Sequence, residues 1–279
     1  GRKVLVLERN DRIGGCIRTE EITAPGFVHD VMATTFVLFI TSPAYGALAA
    51  DLGRHGLEFC NTKSPTGVLT PDGSHLIQRM DRAANIAAFD ASGDGAQYAA
   101  DVGEIEKNAG LLFGLLGGGL WSWPTFKLLA GEAWRRGPRG LAAFLGNAFV
   151  PARGWLETSY KSDLSRALWV PWSLHAGLSP DDAFSGQIAK VIAFALEAAG
   201  APIVKGVARN VLAAFDGLIR ERGGEIRTGS DVASVIVEGG RATGVRLASG
   251  ETITAKQGVI CYVTPTQLYE RLLGRDAPA

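Results

Sequence analysis

Apolar residues fall into three patterns along this chain. Residues 4–7 are four consecutive branched apolar side chains, as in a strand covered on both faces of a parallel sheet. Residues 43–53 read as a helix that Gly53 or Gly56 could cap. Residues 57–60 and 67–70 read as short strands, and after the turn Pro71-Asp72-Gly73 residues 74–78 pair back as a hairpin. From about 81 to 200 the pattern is mostly helical. There Ser179-Pro180-Asp181-Asp182 marks a helix start, with a serine cap, a proline at the first position and acids in the first turn, running to Ala199.

The last eighty residues alternate again. Val207, Val211, Leu212, Phe215, Leu218 and Ile219 form a stripe at helical spacing that Gly223-Gly224 ends. Residues 225–228, 232–238, 242–248 and 251–255, with turns at Gly239-Gly240 and Ser249-Gly250, predict antiparallel hairpins. Residues 258–263 (GVICYV) are a second apolar run suited to a buried parallel strand. The whole reads as α/β: one nucleotide domain in two segments, 1–56 and 201–279, split by a hairpin-containing, mostly helical insertion, 57–200.

Chemistry concentrates at the end of the first strand. Glu8 sits where a dinucleotide-binding fold points a carboxylate at the adenosine ribose. Arg12, Gly14-Gly15 and Arg18 follow; glycines allow close backbone approach to a phosphate, and a guanidinium grips it with two hydrogen bonds. The string ERNDRIGGCIRT (8–19) resembles the acid and double-glycine motif, E-x-x-x-x-x-G-G-x-x-x-T, of flavin-dependent oxidoreductases of the phytoene desaturase and amine oxidase superfamily. Residues 24–36, 42–59 and 171–186 are similar to its phytoene-dehydrogenase-like branch, and 206–273 to the family's return into the FAD domain.

The resemblance implies a partial FAD-binding Rossmann-like domain and a helical substrate domain. It implies that Glu8 binds the FAD ribose, that Gly14, Gly15 and Arg18 lie against the pyrophosphate with Arg9 and Arg12 beside them, and that the backbone of Val232 meets the adenine edge. It also places Thr264-Pro265, after the last apolar run, near the cofactor. His29-Asp30 falls where related chains return toward the flavin ring, which makes the pair the catalytic candidate, although flavin itself supplies the hard chemistry. Family members often carry K-G-G-x-G where this chain has Lys205-Gly206-Val207-Ala208-Arg209, which puts a close backbone approach there in doubt. A dinucleotide site normally opens with a strand, a glycine-rich turn and a helix about 20 residues before its acid. Only seven residues precede Glu8, and Gly1 fits the left-handed end of a preceding helix. The expectation is a fragment lacking that first unit and the C-terminal segment that covers the flavin.

Composition narrows this further. Lys plus Arg and Asp plus Glu are 28 each, a net charge of zero, so no global field recruits nucleic acid. Cys16, Cys60 and Cys261 show neither a disulfide framework nor metal spacing, which favours a reducing compartment and no metal. Residues 109–123 (AGLLFGLLGGGLWSW) are too short to span a bilayer, which takes about 20 apolar residues. They read as a buried helix ending in a glycine-rich bend, or as an entrance for a greasy substrate that touches a membrane surface, with Trp121, Trp123 and Trp134 suited to that boundary. The expected function is FAD-dependent removal of hydride from a C–C bond of an apolar, polyene- or isoprenoid-like substrate. Amine oxidation at a C–N bond and a non-catalytic flavin-fold interaction protein are the alternatives. The expected location is cytoplasmic, membrane-associated in one reading, or the mitochondrial matrix in a eukaryote.

Overall fold

The computed structural model describes residues 2–276; Gly1, expected to end a helix, lies outside the described residues. The chain forms two compact units, residues 1–59 with 203–279, and residues 60–202. The first segment holds β1 (Leu5–Leu7), β2 (Thr19–Glu20), β3 (His29–Asp30), α1 (Val37–Ile40), α2 (Pro43–Arg54) and β4 (Phe59–Cys60). The insertion holds β5 (Thr66–Leu69), β6 (His75–Gln78), α3 (Arg82–Asp90), α4 (Gly95–Lys107), α5 (Ala109–Gly117), α6 (Trp123–Ala148), α7 (Ala152–Ser159), α8 (Asp163–His175) and α9 (Ser185–Ala199). The return holds β7 (Ile203–Val204), α10 (Arg209–Glu221), β8 (Glu225–Arg227), β9 (Val232–Glu238), β10 (Arg241–Leu247), β11 (Thr252–Thr254) and a π-helical segment, Gln267–Leu273.

In the discontinuous unit, β1 pairs in parallel with β8, Leu5 opposite Glu225 and Leu7 opposite Arg227. Helix α2 starts where the sequence places it. Pro43 needs no N–H at a helix start, and the Ser42 hydroxyl accepts from the Tyr45 N–H at 3.1 Å. Its Leu52 joins Leu57, Val204, Val211, Ala214 and Leu218 in one core, so the apolar stripe of α10 faces α2. Leu57 belongs to this core, and the unit extends to Phe59 before the chain departs. The order β11-β10-β9 is an antiparallel meander whose Val235, Val245 and Leu247 bury against Leu272.

Two apolar runs depart from expectation. Residues 4–7 are not buried on both faces: Val4 is 52% and Val6 36% exposed, because among the described residues β1 has one strand neighbour, β8. Residues 258–263 form no strand. Val259 and Cys261 pack on the meander core, whereas Ile260 is 97% exposed. An extended segment with one covered face alternates in this way, and a run of apolar letters does not reveal which faces are covered.

In the inserted unit, β5 and β6 form the expected hairpin, Thr66 opposite Gln78. Phe89, Tyr98, Trp155, Tyr160 and Trp169 build an aromatic core, with Phe89 and Tyr98 stacked at 4.3 Å between ring centroids. Glu197, on α9, is a buried acceptor for three groups. Its carboxylate takes the Tyr98 hydroxyl at 2.5 Å, the Asn85 amide at 2.8 Å and Arg82 Nε at 2.6 Å. Asp101 takes the Tyr160 hydroxyl at 2.8 Å and pairs with Lys190 at 2.9 Å.

Helix α9 begins at Ser185, five residues later than the Ser179-Pro180 signal predicts. Backbone bonds hold 180–186 against the chain before and at the start of α7: Arg153 N–H to Pro180 O at 2.9 Å and Phe184 N–H to Phe149 O at 3.3 Å. Arg153 also grips Asp181 with two bonds, 2.5 and 3.0 Å. The stretch 109–123 is not uniformly buried. Helix α5 ends at Gly117 with Leu111 and Leu112 in the core, while Leu116, Leu120, Trp121 and Trp123 are exposed.

Burial and the neighbouring Glu197 push the Tyr98 hydroxyl well above the ordinary phenol range, and burial and Asp101 do the same for Tyr160. A phenol whose folded value is raised stabilises the fold below the unfolded value, near pH 10, and that contribution drains away as pH rises past it. In an alkaline titration, two of the five tyrosines should ionise only together with the loss of helical circular dichroism. Ionisation of all five before unfolding would contradict the buried placement.

Candidate functional site

The candidate site lies at the carboxyl end of β1, the side where ligands bind open α/β sheets. The backbone of Glu8 is pinned from both sides: its N–H donates to Arg227 O at 2.9 Å and its C=O accepts from Ser230 N–H at 2.8 Å. One carboxylate oxygen, Oε1, accepts from the Asn10 N–H at 2.8 Å and the Asn10 side-chain amide at 2.9 Å. Oε2 has no hydrogen-bond donor among the described residues. The acid is therefore oriented and half satisfied, with one oxygen left for a hydroxyl. Asn10 carried no sequence signal of its own beyond lying two residues past the acid.

The glycine turn follows. Gly14 (φ 116°) and Gly15 (φ 53°) both adopt backbone angles that favour glycine. A Cβ on Gly14 would meet Ile17 O at 3.0 Å and run into the Leu212 side chain, while one on Gly15 would meet nothing within 4 Å. Gly14 thus lets α10 pack close, and Gly15 opens outward. The turn closes through Ile17 N–H to Gly14 O at 2.8 Å. The N–H groups of Gly14, Gly15 and Cys16 find no acceptor among the described residues, and a run of unpaired N–H groups is an anion-binding concavity. Arg9 is exposed. Arg12 and Arg18 converge on one carboxylate, Glu20: Arg12 at 2.5 Å, Arg18 Nε at 2.8 Å. The hydrogen bond from Arg18 leads the effects that lower the Glu20 carboxyl below its usual range. Both guanidinia stay about half exposed.

Asp30 is brought to the start of α10. Both Asp30 oxygens accept from the Ala208 N–H at 3.0 Å, and Oδ1 also takes the Thr19 hydroxyl at 2.6 Å. Thr19 Oγ1 in turn accepts from the Arg209 N–H at 3.1 Å. Two helix-end N–H groups that Ala208 cannot cap itself are thereby satisfied. His29 Nε2 lies 2.8 Å from the Thr23 hydroxyl. Within Lys205–Arg209, Gly206 keeps the left-handed turn (φ 88°), and Ala208 is fully buried, its N–H bonded to Asp30.

Val232 lies beside Glu8 through the Ser230 link, and Leu7 and Val232 pack on one cluster. The C=O of Val232 accepts from Arg271 at 3.1 Å, a contact invisible in the side-chain sequence. Thr264 and Pro265 are exposed. Thr264 opens the π-helical segment, its C=O accepting from Leu268 N–H at 3.0 Å.

Comparison with known proteins fits this geometry. Residues 1–52 match the NAD(P)-binding Rossmann-like domain family. Over 156 residues the chain is 31% identical to hydroxyneurosporene desaturase of Rubrivivax gelatinosus, a match spanning 56% of this chain and 28% of the desaturase. A solved structure from Pyrococcus furiosus aligns with TM-score 0.57 at 18% identity, over 98% of this chain and 56% of that one. An oxidoreductase from Methanosarcina mazei aligns at 0.52 and 16%, over 91% and 52%. A putrescine oxidase redesigned in cofactor binding aligns at 0.53 and 16%, over 96% and 53%. The chain thus spans about half the length of the solved structures it matches. Sequence and fold together fit the phytoene desaturase and amine oxidase superfamily.

Replacing Asp30 by Ala should lower the unfolding free energy by about 1–2 kcal/mol, the usual cost of a lost helix cap, measured by urea denaturation. Loss of turnover in that variant with unchanged stability would return Asp30 to the chemistry.

Proposed function

We propose that this chain is the nucleotide-binding and substrate-facing part of an FAD-dependent oxidoreductase that removes hydride from a C–C bond of an apolar, polyene- or isoprenoid-like substrate. The observation that carries the reading is the half-satisfied Glu8 carboxylate beside the unpaired N–H groups of the Gly14-Gly15 turn. The residues present fit the adenosine diphosphate portion of FAD. Glu8 Oε2 would accept from a ribose hydroxyl. The turn N–H groups would face the diphosphate, and Arg12 and Arg18 would neutralise it after releasing Glu20.

Bound flavin would supply the hydride-accepting ring. This chain's residues supply binding and orientation. Asn10 fixes the Glu8 carboxylate, and the Thr19–Asp30 cap fixes the turn against α10. The apolar substrate rests on the likeness to a desaturase; the fold likeness to putrescine oxidase carries no substrate information at that identity.

The test uses the native-length protein. It should be yellow when purified, or take up FAD on reconstitution, with the two-band visible absorbance of oxidised flavin, and should bleach with an apolar polyene precursor. Glu8→Ala should weaken flavin binding about 10- to 100-fold, the worth of a hydrogen bond to a charged group. A colourless protein that gains no flavin would overturn the reading. A flavin that no substrate reduces would leave a non-catalytic flavin-fold protein.

A further inference from the structure

We propose that the α5–α6 hairpin lies flat on an anionic bilayer surface. Helix α6 breaks at Gly137 (φ 73°, ψ 158°) and Pro138, so its first half, residues 123–136, pairs with α5 across the turn 118–122. The inward side of this hairpin is fully employed. Leu111 and Leu112 are buried, with Leu115, Leu128 and Leu129 against them, and Leu128 closes over Gly114.

The outward side is the anomaly. Positions 123, 126, 127, 130 and 134 share one helical face and all are exposed; they are Trp123, Phe126, Lys127, Ala130 and Trp134. Leu116, Leu120 and Trp121 extend the same apolar surface around the turn. Three of the six tryptophans in the chain are therefore exposed on this one hairpin, Trp134 at 93%. Trp123 and Phe126 stack at 5.2 Å, and the Lys127 ammonium sits 5.5 Å from the Trp123 ring centroid. A helix face turned to water is ordinarily polar. Tryptophan, phenylalanine and leucine bordered by cations are the composition of a helix lying at headgroup depth.

Charge selects the occupant. Between residues 108 and 152 the cations are Lys127, Arg135, Arg136 and Arg139, and the sole acid is Glu132. Glu132 is turned away from water and held by both Arg135, at 2.5 Å, and Arg136, at 2.6 Å. Residues 108–152 carry a net +3 in a chain whose total is zero. A second copy would bring the same positive charge against it, whereas anionic headgroups neutralise it. No helix among the described residues is long and apolar enough to cross a membrane, so contact is confined to the surface. The proposal uses none of the nucleotide-side residues and stands apart from the redox reading.

Native-length protein should co-sediment with phosphatidylglycerol–phosphatidylcholine vesicles and show blue-shifted tryptophan emission. Its affinity for phosphatidylcholine alone should be at least about tenfold weaker, and binding should weaken with added salt. Trp121→Ser with Trp134→Ser, and separately Lys127→Ser with Arg139→Ser, should each cost about tenfold in vesicle affinity with unchanged circular dichroism. The proposal is overturned by absence of partitioning, by equal affinity for the two vesicle types, or by variants that keep circular dichroism and bind as the parent does. A lipid-free dimer abolished by the tryptophan substitutions would also overturn it, assigning the face to a second copy.

Discussion

The Asp30 carboxylate is the constraint on which the nucleotide unit depends. It accepts from the Ala208 N–H, 178 residues away in sequence, and takes the Thr19 hydroxyl, which itself caps Arg209. One acid and one hydroxyl thus tie the short β2–β3 pair to the start of α10. With α10 fixed, Leu212 closes on Gly14, and the glycine turn is held at the end of β1. The order of cause runs from a helix cap to the glycine turn. A helix whose own cap position is alanine has two N–H groups to satisfy, and the partner that satisfies them also positions the turn.

Much of this was legible in the sequence, for reasons tied to local chemistry. The tight turn at Gly14 and Gly15 is legible because a positive φ is recorded in residue type. Helix α2 and the β9–β10–β11 meander are legible because glycine helix stops and Gly-Gly and Ser-Gly turns act locally. What failed was non-local. Residues 4–7 and 258–263 read as doubly buried because apolar letters do not say how many neighbours a strand has. The Ser179-Pro180-Asp181-Asp182 signal lost to tertiary contacts with Arg153 and Phe149. The bond from the Ala208 N–H to Asp30 joins residues 178 apart, and no side-chain pattern marks it.

The inserted unit satisfies its polar groups differently. Its core is aromatic, and three donors converge on buried Glu197. A lone buried carboxylate would be costly, and the convergence of arginine, amide and phenol offsets that cost. The network orders α3, α4 and α9 about one acceptor. The α5–α6 hairpin lacks such a network. On its inner side Leu111, Leu112 and Phe144 are buried, and Phe113 packs against Phe194 of α9.

The interruption of the nucleotide unit has a consequence for biosynthesis. Its two segments are separated by the roughly 140 residues of the insertion. On a ribosome adding about 5–20 residues per second, β1 emerges roughly ten to forty-five seconds before β8, its only strand neighbour among the described residues. During that interval the Val4–Leu7 edge and the two cap acceptors, Thr19 and Asp30, have nothing to bind. The helical insertion emerges whole and is the part able to collapse first, shortening the gap that the two flanking segments must then close. A nascent chain of this design is most exposed to misassociation along residues 1–59, until the return segment emerges.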